Sequence, residues 1–145
     1  MIELGWPHLM TTKKTQTKEQ RERQFAIEAA ALMRDLKCED VVLLDVRTLS
    51  QVCDYVIIGS GTSDRQMQSV ARDLAELAET HGERAFRTSK DNSTTWVVVD
   101  FIDVVAHLFE PGQREYYDIE GLWSDAPRVD WEAGVKRTRT AGRRE

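Results

Sequence analysis

Cysteine is nearly absent from this chain: Cys38 and Cys53 are the only two among 145 residues. With no secretory segment ahead of them, they point to free thiols in a reducing compartment rather than a disulfide framework. Neither they nor the scattered histidines (His8, His81 and His107) have the spacing of a metal site. No apolar run approaches the ~18 residues of a membrane span. The opening stretch MIELGWPHLMTTKKTQTK lacks a signal-peptide core and a small-residue cleavage site. A cytoplasmic location is therefore expected. No lysine lies between Lys37 and Lys90, an absence that bears on function below.

What is present is globular in character, 41% apolar and 31% charged, in a length suited to one domain with one core. Charge is unevenly spread. Residues 38–132 hold 8 Lys/Arg against 19 Asp/Glu, a balance of −11, while the two ends together hold 12 against 6, a balance of +6. An acidic body of this kind repels nucleic acid and suits a basic protein partner, or else simply keeps the surface solvated.

Residues 1–16 are polar and aperiodic, which predicts disorder. A helix is predicted from Thr17, which forms a T-x-x-Q capping box with Gln20. Phe25, Ala29, Leu32 and Leu36 give it an apolar stripe. VVLLDV (41–46) and YVIIGS (55–60) read as strands. A second helix over 63–81 has Ser63 as cap, Met67, Val70, Ala71, Leu74, Leu77 and Ala78 as its buried face, and Gly82 as a left-handed terminator. AFR (85–87) reads as a short third strand, TSKDNSTT as a loop, and WVVVDF (96–101) and VVAHLF (104–109) as a hairpin. Ile102-Asp103 is poor chemistry for its turn. After Pro111, GQREYYDIEGLW reads as one or two short helical turns on the sheet edge. From Ser124 the apolar period is lost.

This order predicts a single-domain α/β fold: a mixed, twisted five-stranded β-sheet with packed α-helices. The first two strands should pair as a hairpin, and the second and third should be parallel through a right-handed crossover. The expected divisions are a disordered 1–16, a folded 17–126 and a polar basic tail, 127–145.

The Gly59-Ser60-Gly61 loop raises the question of nucleotide chemistry. A Walker-type phosphate loop needs a lysine that is absent here. The dinucleotide fingerprint needs a third glycine where Asp64 stands. Nucleotidyl transfer would need a D-x-D pair on the following strand to hold magnesium, and only Asp100 and Asp103 remain as candidates. No nucleophile–base–orienter set can be assembled around Ser60, Thr62 or Ser63. Gly59, Gly61, Thr62 and Ser63 thus read as a structural turn and cap, with the glycines supplying backbone freedom. No cofactor or metal is expected. A nucleotide-handling enzyme stays as the alternative function.

The segment WVVVDFIDVVAHLFEPGQREYYDIEGLW, together with VVLLDVRTLSQVCDYVIIGSGTSDRQ before it, resembles the ribosomal silencing factor (RsfS, or Iojap) family. The likeness spans about residues 20–126. It rests on Asp54 and Tyr55, on Gly61, Thr62 and Ser63, on Trp96, on Asp103 and His107, and on Tyr116, Tyr117, Leu122 and Trp123. Ile102 departs from a glycine usual in the hairpin turn, and RTSKDNSTT from a glycine-containing segment.

The resemblance implies a non-enzymatic translational repressor that binds the large ribosomal subunit through its uL14-type protein and obstructs subunit joining; related organellar members act in large-subunit assembly. It leaves a homodimer open for the free protein. Trp96, Tyr116, Tyr117, Leu122 and Trp123 become candidate partner contacts, against the reading that aromatics cluster because they pack. Asp100 and Asp103 either pair with basic partner groups or cap the turn. Arg137, Arg139, Arg143 and Arg144 of the tail are candidates for a minor contact with ribosomal RNA.

Overall fold

The computed structural model describes residues 16–83 and 87–133. Nine elements follow in order: α1 (Lys18–Asp35), β1 (Glu39–Asp45), β2 (Tyr55–Ser60), α2 (Asp64–Thr80), β3 (Arg87–Lys90), β4 (Trp96–Asp100), β5 (Val104–Phe109), α3 (Pro111–Tyr117) and α4 (Ile119–Leu122). The sheet has five strands in the order β1-β2-β5-β4-β3. Only β2 and β5 are parallel; the other pairs are antiparallel. The mixed five-stranded α/β architecture expected from the sequence is present.

Local chemistry sets the helix ends. Thr17 Oγ1 accepts from the Gln20 amide at 3.1 Å, and Gln20 Oε1 accepts from the Thr17 amide at 2.9 Å, a complete capping box. Ser63 caps α2, and Gly82 follows it at φ 77°. Helices α1 and α2 cover one sheet face, where Leu43, Ile57, Val97, Val99, Ala106 and Leu108 meet Phe25, Met67, Val70 and Leu74. The buried face of α1 is Phe25, Ala26, Ala29, Ala30 and Met33, with Leu32 and Leu36 at its margin. The small alanines let this helix approach the sheet closely, which turns the stripe away from the two leucines.

Three expectations are corrected. The parallel partner of β2 is β5, not β3. Strand β3 reads Arg-Thr-Ser-Lys and is exposed throughout, so it suits the edge, while apolar β5 fills the centre. Residues 84–86, which held most of the expected third strand, lie outside the described residues. The strand instead forms from the predicted loop, because Asp91 accepts from the amides of Thr95 (2.6 Å) and Trp96 (3.2 Å) and folds the chain back onto β4. Second, α3 and α4 lie over the sheet face rather than its edge, since Ile119, Trp123 and Ala126 pack on the cluster around Val42, Leu44 and Ile58.

Third, residues 127–131, assigned to the tail, run along β1. The Asp45 amide donates to the Pro127 carbonyl and the Val129 amide to that of Leu43, both at 2.9 Å. The buried Trp131 donates from Nε1 to the Val41 carbonyl at 3.2 Å, beneath the Arg34 guanidinium at 5.2 Å. One tryptophan and a few backbone bonds fix this segment without any apolar period. The expected disorder of residues 1–15 and the tail arginines fall outside the described residues.

Candidate partner-binding face

Alternation along β4 and β5 divides their side chains between the two faces. Trp96, Val98, Asp100, Val105, His107 and Phe109 point away from α1 and α2. Trp96 stacks on Phe109 with centroids 5.1 Å apart and meets Tyr117 at 4.5 Å. Tyr116 stands edge-on to Tyr117 at 5.1 Å. Trp96 Nε1 donates to Nδ1 of His107 at 3.1 Å. Burial pulls the His107 pKa down to about 4, so the ring is neutral at physiological pH and free to accept at Nδ1.

The aromatic platform is held from its side. Arg114 donates from Nε and Nη2 to both carboxylate oxygens of Glu120, at 3.1 and 3.0 Å, and from Nη1 to Ser60 Oγ at 3.0 Å. This fork clips α3 to α4 and both to the end of β2. It also holds the Glu120 carboxyl below its usual range. Asp118, in the left-handed conformation at φ 48°, turns the chain between the two helices.

The predicted contact residues therefore separate. Trp96 and Trp123 are partly buried in one apolar cluster, Tyr117 (37% exposed) lies against Trp96 at its margin, and Tyr116 (77%) and Leu122 (71%) project from it. Asp100 lies on the same face at the hairpin end, where its Oδ1 accepts from the Ile102 amide at 2.7 Å. Asp103 turns toward α1 and pairs with Lys18 at 3.4 Å.

Beneath Asp103 lies a group that no sequence pattern announces. Glu22, Asp54 and Asp103 bring carboxylate oxygens within 4.8 Å of one another, and Glu22 is only 2% exposed. Burial, then hydrogen bonds with Asp54 and Asp103, push the Glu22 pKa up to about 8. A proton on Glu22 and the Lys18 ammonium, 3.3 Å from Glu22, offset the crowded charge. Donors of this type suit a hard cation, but the proton and Lys18 already do that work.

The glycine loop is closed rather than cradle-like. The Gly61 amide donates to the Phe109 carbonyl at 2.7 Å, the Thr62 amide to Gln66 Oε1 at 3.0 Å, and the Gln66 amide to Ser63 Oγ at 3.0 Å. Those three N–H groups are therefore not open to a phosphate. Neither glycine has a positive φ. A Cβ on Gly59 would meet Met33 Cε at 2.6 Å, and one on Gly61 would meet Met67 Sδ at 2.6 Å. Close packing rather than backbone freedom favours glycine here, strictly at Gly61 and more loosely at Gly59, where the mobile methyl end of Met33 can shift.

A family model described as "Ribosomal silencing factor during starvation" matches residues 18–145. The chain belongs to the ribosomal silencing factor family. It is 38% identical over 109 residues to the Bacillus subtilis protein named Ribosomal silencing factor RsfS, covering 75% of this chain and 92% of that one. It is 29% identical to the mouse protein named Mitochondrial assembly of ribosomal large subunit protein 1, covering 65% of this chain and 42% of that one. A crystal structure from Chromobacterium violaceum superposes with a TM-score of 0.66 at 31% identity, covering 70% of this chain and 85% of that one.

Within this silencing-factor chain, sequence reasoning singled out the aromatics but missed Arg114 and Glu22. A six-residue spacing from Arg114 to Glu120 is no helical signature, because a left-handed residue intervenes. Glu22 sits on the apolar side of α1 among polar neighbours, and only its mismatch with that face could have marked it. Among the described residues, no helix is long and apolar enough to cross a membrane.

Proposed function

We propose that this protein represses translation by binding the large ribosomal subunit through its uL14-type protein, on the surface that receives the small subunit. The observation that carries the reading is the aromatic face of β4, β5, α3 and α4, where Tyr116 and Leu122 project from a platform of Trp96, Tyr117 and Trp123. Aromatic anchors set in a packed surround are the usual energetic centre of a protein interface. The acidic balance of residues 38–132 suits a basic ribosomal protein, and Asp100 offers a rim charge for steering. The mouse relative's name refers to large-subunit assembly, which agrees with this target. The bonded amides of the Gly59–Ser63 loop speak against the nucleotide-handling alternative and for a non-enzymatic role.

The test is sedimentation with separated subunits. The protein should travel with large subunits and not with small ones, and adding it before mixing should suppress joined particles. A Tyr116→Ala, Leu122→Ala double variant should weaken binding at least tenfold without a change in melting temperature. Normal joining by subunits that carry the protein would overturn the steric mechanism and leave an assembly role.

A further inference from the structure

Strand β3 ends the sheet, and a groove of about 300 Å³ runs between it and α2, lined by Gln68, Ala71, Arg72, Ala75, Lys90 and Val97 among others. It continues through the shared Gln68 and Arg72 into a second hollow bounded by Asp64 and Arg65. Asp64 is engaged by Gln68. Among the described residues, neither Arg65 nor Arg72 has an ion-pair partner. On a body as acidic as this one, two unpaired guanidinium groups beside Lys90 make a local reversal of charge.

The backbone of β3 adds a second feature. The Asp91 amide donates to the Trp96 carbonyl, and Ser89 and Arg87 lie opposite Val98 and Asp100. Antiparallel alternation then turns the amides and carbonyls of Thr88 and Lys90 outward. The side chains of those two residues share the face of Val97 and Val99, toward α2. The open edge and the cationic groove are therefore one site.

We propose that β3 and α2 receive an extended acidic segment of another protein, which adds to the sheet as a sixth strand. Strand addition draws affinity from main-chain hydrogen bonds and specificity from alternate side chains. Ala71, Ala75 and Val97 give those side chains an apolar floor, and Arg72, Arg65 and Lys90 receive carboxylates. A second copy of β3 is disfavoured, because pairing through the outward residues sets Lys90 of the second copy opposite Thr88, on the face that already holds Lys90 and Arg72. An RNA backbone is also disfavoured. It would use neither the outward amides nor the apolar floor. The proposal is independent of subunit binding through the opposite face.

Fluorescence anisotropy on the full chain tests it, with a labelled octapeptide of alternating threonine and glutamate. We expect saturable binding, amide shifts in Thr88 and Lys90, at least tenfold loss in Arg72→Glu and retention in Arg72→Lys. Thr88→Pro, which removes one outward amide, should also abolish binding. Large-subunit co-sedimentation should be unchanged in Arg72→Glu. No binding at millimolar peptide, equal binding of a threonine–lysine octapeptide, full affinity in Arg72→Glu, or tighter binding of an eight-nucleotide oligouridylate would each overturn the proposal.

Discussion

The Trp96 indole and the His107 imidazole are joined edge to edge, Nε1 to Nδ1 at 3.1 Å, as diagonal neighbours across the β4–β5 ladder. The bond fixes the indole plane that stacks on Phe109 and meets Tyr117 at a tilt of 40°. His107 is thus a positioning residue for the aromatic platform.

His107→Ala should cost about 0.5–1.5 kcal/mol for the lost hydrogen bond, measured by urea melting, and should weaken large-subunit binding. The ring also leaves a pH signature. Its pKa falls from 6.5 to about 4 on folding, so the unfolded chain binds the extra proton between these values. The stability from this group is full above 6.5 and is lost as pH falls toward 4. The variant should lack that part of the acid slope.

Glu22 behaves in the opposite sense. Its pKa rises from 4.5 to about 8, so the folded chain binds the extra proton. Its contribution is full below 4.5 and is lost as pH rises through 8. Glu22→Gln, which keeps the shape of the neutral acid, should match the parent near pH 5. At pH 9 it should be more stable, by on the order of 1–3 kcal/mol. Parallel melting curves at both pH values would refute this account.

Ile102 stands at φ 76°, a left-handed conformation that is costly for a β-branched residue. Ile102→Gly should relieve that strain and stabilise the hairpin by about 0.5–1 kcal/mol in a denaturant melt. The side chain is half exposed, so little burial is lost in exchange.

Leu74 is fully buried on the inner face of α2. Leu74→Ala should destabilise by about 2–5 kcal/mol. Gly61→Ala should cost about 1–3 kcal/mol by overpacking Met67. Ser60→Ala should lose only the Arg114 contact, about 1 kcal/mol, and leave subunit binding nearly intact.

These residues show what a sequence can carry. The face of α2 and the cap at Ser63 were legible because helical spacing and capping are local. The β4–β5 hairpin was legible despite Ile102, because two apolar runs flank it so closely. Strand β3 was not, since an edge strand of polar residues is defined by its partner rather than its composition. Glycine placement was legible at Gly59 and Gly61, but its cause was not, because Met33 and Met67 arrive from elsewhere in the chain. At the candidate face the aromatic residues were visible, whereas the His107 bond and the Arg114 fork needed the register of the sheet. The separate neighbours of Asp100 and Asp103 likewise depend on which way the turn rolls.

Among the described residues, the segment at 127–131 leaves the sheet with one occupied margin and one open one. Pro127 and Val129 already use hydrogen-bonding positions of β1, and Trp131 covers the Val41 carbonyl. Fibril growth by edge-to-edge stacking needs a template at both ends of each unit. A molecule with one open margin can gain a strand at β3 and no second one at β1, so residues 127–131 close the β1 side to edge-to-edge growth.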